Sequence, residues 1–379
     1  MEKVSLPVDW ETRTLGDICD IKTGKRDANH GNPNGKYHFF TCAKKHSYID
    51  DYNFDTEAIL VAGNGDVGAV KYFKGKFDAY QRTYILHNFK INVDVQLLFL
   101  LLNGYLKDVV SKQKLGNTMP YIKLGMLLKF PIILPPQAQQ KQIVATLDKV
   151  FAAIDIAKAN AEQNLKNAKE LFVSYLQNVF ENKGDNWEDK SIGEIGKPSM
   201  CKRILKEQTS SLGDIPFYKI GTFGKSPNAF ITEELFQEYK TKYSFPKKGD
   251  ILISASGTIG RRVAYDGLPA YFQDSNIVWI DNDESQVLND YLYMFYGYCD
   301  WQPSTGATIS RLYNANLKRI RIAFPNALDE QEKIVQKLNT LSIETKKLEA
   351  IYTQKIAELE EMKKSVLQKA FSGQLNTVT

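Results

Sequence analysis

The fold is decided by residues 137–182, which read QAQQKQIVATLDKVFAAIDIAKANAEQNLKNAKELFVSYLQNVFEN. The segment has no Gly or Pro, and about forty such residues predict one continuous helix of roughly 60 Å at 1.5 Å per residue. Its apolar residues recur at alternating spacings of three and four, which is typical of a coiled-coil seam. Asn164 also falls on this seam, where a polar residue limits register and partner choice. The predicted helix-pairing residues are Ile143, Leu147, Val150, Ile154, Leu171 and Tyr175.

The same segment occurs a second time, 191 residues further along the chain. There QEKIV, from Gln331 to Val335, echoes QKQIV, from Gln140 to Val144, and Lys355 takes the place of Asn164. Two equal helices in one chain are expected to pair with each other. The helix-pairing residues of the second copy are Ile334, Leu338, Leu341, Leu348, Tyr352, Leu359 and Met362.

The repeat extends into the segments that precede the helices. Trp10 with residues 15–18 (LGDI) matches Trp187 with residues 192–195 (IGEI), and residues 59–68 match 251–260. Gln81 then matches Gln273. The second copy has additional residues before its central strand, which predicts a longer loop there, since loops tolerate insertions.

Each globular copy is predicted to be a mixed α+β domain, because short β-branched and aromatic runs alternate with Gly- and Asn-rich loops. The strand candidates are 59–62, 69–73, 82–86, 250–253, 262–265 and 276–280, and the helix candidates are 95–110 and 288–297. The predicted division is a first globular domain at 1–136, a helix at 137–186, a second globular domain at 187–328 and a second helix at 329–379.

Composition predicts a cytoplasmic globular protein. The 379 residues are 43% apolar, no apolar run is long enough to span a membrane, and residues 1–5 lack a signal-peptide hydrophobic region. The four cysteines are far apart and form no CxxC pair, which favours free thiols. The net charge of +5 lies in the globular domains, because both helical segments are neutral. It permits nucleic-acid binding without requiring it.

No catalytic motif occurs in both copies, so the chain is not expected to be an enzyme. Residues 63–68 read GNGDVG and match the dinucleotide fingerprint, but a strand pattern follows where the fingerprint needs a helix. A strand-connecting turn that needs positive φ is the better interpretation, and a nucleotide enzyme is the weakest of the three functions considered. His38 and His46 flank Cys42, yet without a second cysteine nearby zinc is not favoured.

Basic, aromatic and amide residues cluster in the candidate loops of both domains. Arg, Lys, Asn and Gln supply the hydrogen bonds that phosphates and base edges accept. Any single one of these residues is explained by an ordinary solvent-exposed surface. Their placement in loops of two domains joined by a neutral helix favours DNA binding instead. The candidate DNA-binding residues are Lys22, Lys25, Arg26, Lys44, Lys45, Tyr48, Gln81, Arg82, Asn117, Thr118, Lys202, Arg203, Arg261, Arg262, Thr308 and Arg311.

The order of these motifs resembles the specificity subunit of type I restriction–modification systems. Each copy opens with Trp and the LGDI or IGEI run and later has a Gly-x-Thr loop, at residues 116–118 and 306–308. A strand ending in Pro and the long helix follow. The resemblance covers nearly the whole chain. It implies two target-recognition domains separated by two long antiparallel coiled-coil helices.

The resemblance also implies a function. Each domain would read one half of an interrupted double-stranded DNA site, and the helices would fix the gap between the halves. The helices would dock two methyltransferase subunits, which bind S-adenosylmethionine, whereas this chain binds no cofactor or metal. Restriction subunits are a further expected partner. The alternative is a scaffold with two protein-binding modules on a helical spacer.

Overall fold

The computed structural model describes residues 7–90, 92–113, 115–116, 120–305 and 310–375. Its described residues form two compact units. The first unit comprises the chain up to Glu162 together with the segment from Gln354 onward, and the second comprises Gln163–Thr353. Each unit therefore combines one globular domain with part of both long helices. The four-segment division made from the sequence stays a prediction.

The first unit is built around a six-stranded sheet with the order β2-β7-β5-β6-β3-β4, and β1 pairs with β8 beside it. All its pairings are antiparallel except that between β3 and β6. The strands are β1 (Glu11–Thr14), β2 (Asp20–Thr23), β3 (Tyr37–Phe40), β4 (Ser47–Ile49), β5 (Phe54–Ala62), β6 (Val70–Ala79), β7 (Thr83–His87) and β8 (Pro131–Leu134). The helices are α1 (Leu15–Ile18), α2 (Val95–Gln113), α3 (Leu124–Leu128) and α4 (Gln137–Glu181), of which α4 continues into the second unit.

The second unit repeats this plan with smaller sheets, ordered β10-β16-β13-β14 and β12-β11-β15, and with β9 paired to β19. The strands are β9 (Trp187–Ser191), β10 (Lys197–Ser199), β11 (Ile215–Tyr218), β12 (Phe230–Ile231), β13 (Ile251–Ser254), β14 (Arg262–Ala264), β15 (Tyr271–Phe272), β16 (Ile277–Asp281), β17 (Ser304–Thr305), β18 (Ser310–Arg311) and β19 (Arg321–Pro325). The helices are α5 (Ile192–Ile195), α6 (Glu233–Lys242), α7 (Asn289–Phe295), α8 (Asn314–Arg319) and α9 (Leu328–Phe371).

These bounds confirm the predicted strands and helices, with one difference before the central strand of the second copy. The inserted residues there include helix α6 rather than only a longer loop. Thr232 caps the N-terminus of α6, and its hydroxyl oxygen accepts the N–H of Leu235 at 3.3 Å. Such an N-cap satisfies one of the N–H groups that the first turn leaves unpaired.

The central strand of each domain is apolar on both faces because both faces are covered. Ile59 and Val61 of β5 face a core that also contains α2 and the first turns of α4, whereas Ala58 and Leu60 face a smaller core with Phe40 and Phe77. In β13, Ile251 and Ile253 face one core and Leu252 the other. A strand buried on both sides loses the alternation of a half-exposed one.

The repeated LGDI and IGEI runs are short helices, and the acidic residue of each run bonds back to the residue that precedes the helix. The Asp17 carboxylate accepts the backbone N–H of Thr14 at 2.9 Å and its hydroxyl at 2.7 Å. Glu194 does the same with Ser191, at 2.8 and 2.6 Å. The two apolar residues of each run are buried. Hydrogen bonds to the charged form lower the pKa of both carboxyls.

A buried glutamine in the first turn anchors each long helix to its domain. The Gln140 Oε1 accepts the N–H of Asp94 at 2.7 Å, and its Nε2 donates to the carbonyls of Asn92 and Pro135 at 3.0 and 2.8 Å. Gln331 repeats the arrangement with Leu288, Gln286 and Pro325 at 3.0, 2.8 and 2.8 Å. This role explains why the glutamine is present in both copies.

The long helices α4 and α9 pack antiparallel. In the first unit, Asp155 pairs with Lys363 at 2.8 Å and Lys158 with Glu360 at 2.6 Å, so the partner number falls as the α4 number rises. In the second unit, the Lys337 ammonium lies 5.3 Å from the centre of the Tyr175 ring. The pair is coiled-coil-like, as the sequence predicts.

The predicted seam is correct in phase only over part of each helix. Ile143, Leu147, Ile154 and Leu338 are buried, and Val150, Tyr175, Ile334, Leu341, Tyr352 and Leu359 are half-buried. The predicted seam residues Leu171, Leu348 and Met362 are 49%, 37% and 52% exposed, so their assignment to the seam is wrong. Asn164 and Lys355 are exposed as well.

These predicted seam residues are exposed because an α-helix has 3.6 residues per turn, whereas the predicted seam assumes a repeat of 3.5. In a straight helix Leu171 lies about 80° from Ile143, whereas Phe172 lies about 20° from it. Phe172 is accordingly half-buried and Leu176 is buried. In α9 the same drift places half-buried Ile356 on the packed face in place of Lys355.

Candidate nucleic-acid interface

The segment that follows the central strand, β5 in the first domain and β13 in the second, is a tight turn in both domains. Gly65 and Gly68 have φ of 65° and 82°, and their counterparts Gly257 and Gly260 have 67° and 81°. These left-handed conformations favour glycine. Strands β6 and β14 follow the turns, so no helix N-terminus is available for a pyrophosphate. The interpretation as a strand-connecting turn is confirmed.

Three chain segments meet beside this turn, and they meet in the same way in both domains. The N–H of Gly63 donates to the Arg82 carbonyl at 2.9 Å, and the Gly63 carbonyl accepts the N–H of Ile122 at 3.0 Å. In the second domain Ala255 bonds to Asn276 at 2.7 Å and to Leu312 at 2.9 Å. The backbone thus makes Arg82 equivalent to Asn276. We call this arrangement the three-segment corner.

The bridges next to these bonds extend the equivalence. Tyr121 forms a bridge with Asn64 in the first domain, and Arg311 forms one with Ser256 in the second. Tyr121 and Arg311 therefore occupy the same backbone position. The Gly-x-Thr motifs at residues 116–118 and 306–308 give the same correspondence, because Tyr121 and Arg311 lie equally far beyond them.

In the first domain the corner borders a cleft of about 190 Å³, which we call the first cleft. The Arg82 side chain is exposed and makes no hydrogen bond or ion pair with the described residues. Gln81 donates from Nε2 to the Asp27 carboxylate at 2.7 Å. The Tyr84 hydroxyl donates to the Ile122 carbonyl at 2.9 Å, and burial raises the pKa of Tyr84. The lining residues are Gly63, Gln81, Arg82, Tyr84 and Ile122.

In the second domain the corner borders a larger cleft of about 390 Å³, the second cleft. Four cationic side chains and one carboxylate line it. Arg203 donates from Nε to Asp274 at 2.9 Å, and Arg311 donates from Nη2 to the Asn276 Oδ1 at 2.9 Å. Its polar lining residues are Arg203, Lys206, Thr209, Lys219, Gln273, Asp274, Ser275, Asn276 and Arg311.

A family model described as "Type I restriction modification DNA specificity domain" matches the chain twice, over residues 7–167 and 184–361. The chain belongs to this family. A type I restriction enzyme specificity subunit of Haemophilus influenzae is 38% identical over 359 residues, which cover 89% of each chain. The EcoDI specificity subunit of Escherichia coli is 27% identical and covers 99% of this chain and 90% of its own length.

Solved structures share the fold of this specificity subunit at low sequence identity. One is a chain from a structure that describes complex assembly and conformational transition of the type I R-M system. It aligns with a TM-score of 0.77 and 18% identity, over 98% of this chain and 100% of that chain. The HsdS subunit from Thermoanaerobacter tengcongensis has a TM-score of 0.63 at 18% identity, over 99% of both chains. The fold, two specificity domains in tandem with paired long helices, is thereby shown.

Several of the predicted contact residues of the specificity subunit are exposed outside the clefts. Lys44 and Lys45 lie between β3 and β4, and the Lys71 ammonium holds this segment by donating to the Ala43 carbonyl at 2.6 Å. His46 is the last residue of this segment before β4, and the centre of its ring lies 4.5 Å from that of His38. Burial, followed by the neighbouring His38 and Lys71, lowers the pKa of His46. Lys22, Lys25, Tyr48 and Lys202 are exposed too.

Three predicted arginines are committed to other partners. Arg26 donates from Nε at 3.1 Å to Asp78, a fully buried carboxylate that Asn53 also reaches at 2.6 Å. Arg261 donates from Nη1 to the Phe223 carbonyl at 2.8 Å. The Arg262 guanidinium stacks 4.6 Å from the centre of the Tyr293 ring. That Arg261 and Arg262 contact DNA stays a prediction.

Sequence reasoning missed Asn276, Lys206 and Lys219, which line the second cleft. The backbone equivalence of Asn276 with Arg82 is the signal that would have found Asn276. The predicted contacts Asn117, Thr118 and Thr308 lie outside the described residues. Among the residues that are described, no group of three His, Cys, Asp or Glu side chains could hold a metal ion, and no helix could cross a membrane.

Proposed function

We propose that this specificity subunit is the DNA-reading part of a type I restriction–modification complex, with each domain reading one half of an interrupted double-stranded site. One observation carries the proposal: the same three-segment corner borders a polar cleft in both domains, but different side chains occupy it. Arg82 and Tyr121 stand where the second domain has Asn276 and Arg311. An equivalent backbone with different hydrogen-bonding groups suits two half-sites of different sequence.

Within each domain, we assign base recognition and phosphate binding to different residues. Arg82, Gln81, Asn276 and Arg311 lie in the clefts and have side chains able to pair with base edges. The exposed lysines Lys22, Lys25, Lys44, Lys45 and Lys202 are suited to phosphates, which fix position without reading sequence.

The paired helices set the distance between the half-sites and dock two methyltransferase subunits. Leu171 and Met362, 191 residues apart and therefore equivalent in the repeat, are 49% and 52% exposed. Two equivalent exposed apolar residues support two equivalent docking sites. S-adenosylmethionine would bind the methyltransferase subunits and not this chain, and restriction subunits would join the same complex. Such a complex would act on DNA in the cytoplasm.

Salt-dependent binding tests the proposal against a protein scaffold. The purified complex of this chain with its methyltransferase subunits should bind its selected duplex more tightly than random DNA, with log affinity falling linearly with log salt. Replacing both Lys44 and Lys45 by Ala should reduce that slope by about 2, because each phosphate contact adds about 1. Equal affinity for selected and random duplexes, or binding that is independent of salt, would favour the scaffold.

A further inference from the structure

Each cleft is lined by one glutamine, and the two glutamines bond to the protein through opposite ends of the side-chain amide. Gln273 accepts the backbone N–H of Ile220 at 2.9 Å through Oε1. A backbone N–H can only donate, so the atom facing it must be the amide oxygen. Gln81 instead donates from Nε2 to the Asp27 carboxylate at 2.7 Å, and a carboxylate oxygen is an acceptor. The partner fixes the amide orientation in each case.

These contacts leave different groups available to a ligand in each cleft. Gln273 retains its two amide N–H donors, because its oxygen is already bonded to Ile220. Gln81 retains its amide oxygen and one N–H group, because the bond to Asp27 uses only the other N–H. The two glutamines, which match in sequence but not in backbone position, therefore differ in what they offer a ligand: Gln273 offers both amide N–H groups, and Gln81 offers its oxygen and one N–H.

The neighbours of Gln273 offer donors as well. Asn276 accepts both Arg311 Nη2, at 2.9 Å, and the Ser256 hydroxyl, at 2.6 Å, through its single oxygen Oδ1. An arginine has no acceptor, so this assignment of the Asn276 amide is unambiguous. The Asn276 amide nitrogen and the other N–H groups of Arg311 remain for a ligand. The Asp274 carboxylate pairs with Arg203 at 2.9 Å and with Ser275 at 3.2 Å.

We propose that Gln273 and Gln81 determine sequence specificity through this polarity, which rests on the proposed function. In the second domain Gln273, Asn276 and Arg311 recognise guanine, whose major-groove edge carries the two acceptors O6 and N7. Gln273 and Asn276 favour guanine over adenine there, because both amide oxygens already accept hydrogen bonds from the protein and only their N–H groups remain for a base. In the first domain Gln81 accepts the exocyclic amino group of an adenine or a cytosine.

The test replaces Gln273 by Glu in the full chain, assembled with its methyltransferase subunits. The two side chains have the same shape and the variant keeps an acceptor for Ile220, but the amide donors are gone. Relative affinities for the four bases at each position are measured by selection from a randomised duplex library. At one position of the half-site read by residues 187–328, the preference for guanine should fall by about 5- to 100-fold. The other half-site should be unchanged.

Two further variants sharpen the result. Gln237→Glu adds the same charge to an exposed residue of α6 outside the cleft and should leave the preferred sequence unchanged. Gln81→Lys keeps a donor for Asp27 but removes the amide oxygen, so the preference for an amino-bearing base should be lost in the first half-site only.

The outcomes separate this inference from the function on which it rests. A folded Gln273→Glu complex with unchanged base preferences would overturn the inference and leave the function standing. A uniform loss of affinity across all sequences would identify Gln273 as a phosphate contact and overturn it too. A wild-type complex without any sequence preference would overturn the proposed function itself.

Discussion

Replacing Gln331 by Met tests how the second long helix is anchored to its domain. Gln331 is fully buried and bonds to three backbone groups: the N–H of Leu288 at 3.0 Å and the carbonyls of Gln286 and Pro325, both at 2.8 Å. Methionine has a similar length and flexibility but no comparable donor or acceptor. The substitution therefore removes three hydrogen bonds with little change in packing volume.

The expected loss of unfolding free energy follows from the burial of each bond. The carbonyl of Pro325 lies in a buried contact, so leaving it unpaired costs about 1–3 kcal/mol. The bonds to Leu288 and Gln286 are partly buried, and each contributes about 0.5–1.5 kcal/mol. The second unit should lose roughly 2–6 kcal/mol in total. At about 2–4 °C per kcal/mol for a unit of this size, its Tm should fall by at least about 4 °C.

Calorimetry and urea unfolding of the full chain would measure the effect. Gln336→Met is the matched control, because it makes the same change at an exposed position of α9 and should alter stability by no more than about 0.5 kcal/mol. Gln140→Met, with exposed Gln142→Met as its control, repeats the comparison in the first unit. If Gln331→Met unfolds within about 0.5 kcal/mol of the wild type, the anchoring role is refuted.

Three other predictions concern the capping acid, the exposed positions of the helix pair and the helix length. The pKa of Glu194 is lowered from 4.5 by its bonds to Ser191, so its stabilisation is present above pH 4.5 and lost as pH falls through the folded-state value. Urea unfolding should therefore show Glu194→Gln less stable than wild type at pH 7, with the gap closing in acid; a constant gap would contradict this. Leu171→Glu and Met362→Glu should each change stability by less than about 0.5 kcal/mol, because both residues are exposed, yet each should remove one methyltransferase subunit in sedimentation measurements. A complex that retains both subunits in each variant would exclude these positions from the docking surface. Inserting one heptad into both helices, after Ala161 and after Tyr352, should lengthen the pair by roughly 10 Å, or about three base pairs of DNA. The selected spacer should grow and binding should weaken, because the heptad rotates the far domain by only ~20° while three base pairs turn the duplex by about 100°; an unchanged optimum spacer would contradict it.

The repeated architecture was predictable because both copies keep the residues that determine local structure. Gly65 and Gly68 recur as Gly257 and Gly260, since the turn after the central strand needs positive φ in each domain. The apolar runs of β5 and β13 likewise reflect burial on both faces. Such local requirements restrict the residue types at particular positions, so they can be recognised in a single sequence.

The helix seam depends on supercoiling, and the clefts depend on contacts between residues that are far apart in sequence. Neither can be read from a single sequence. Whether Leu171 or Phe172 faces the partner helix depends on how far the helix supercoils, and a heptad count assumes the answer. The stacking of Arg262 on Tyr293 could not be predicted, because it joins segments that are far apart in sequence. The polarity of Gln81 and Gln273 depends on Asp27 and Ile220, which are equally remote.

If each domain reads its own half of the DNA site, exchanging one domain should change only that half. Residues 187–328 would be replaced by the corresponding domain of another specificity subunit, and the methylated sequence would be mapped across a host genome. One half of the motif should change while the other half and the spacer length stay the same. A change in both halves, or in neither, would contradict it.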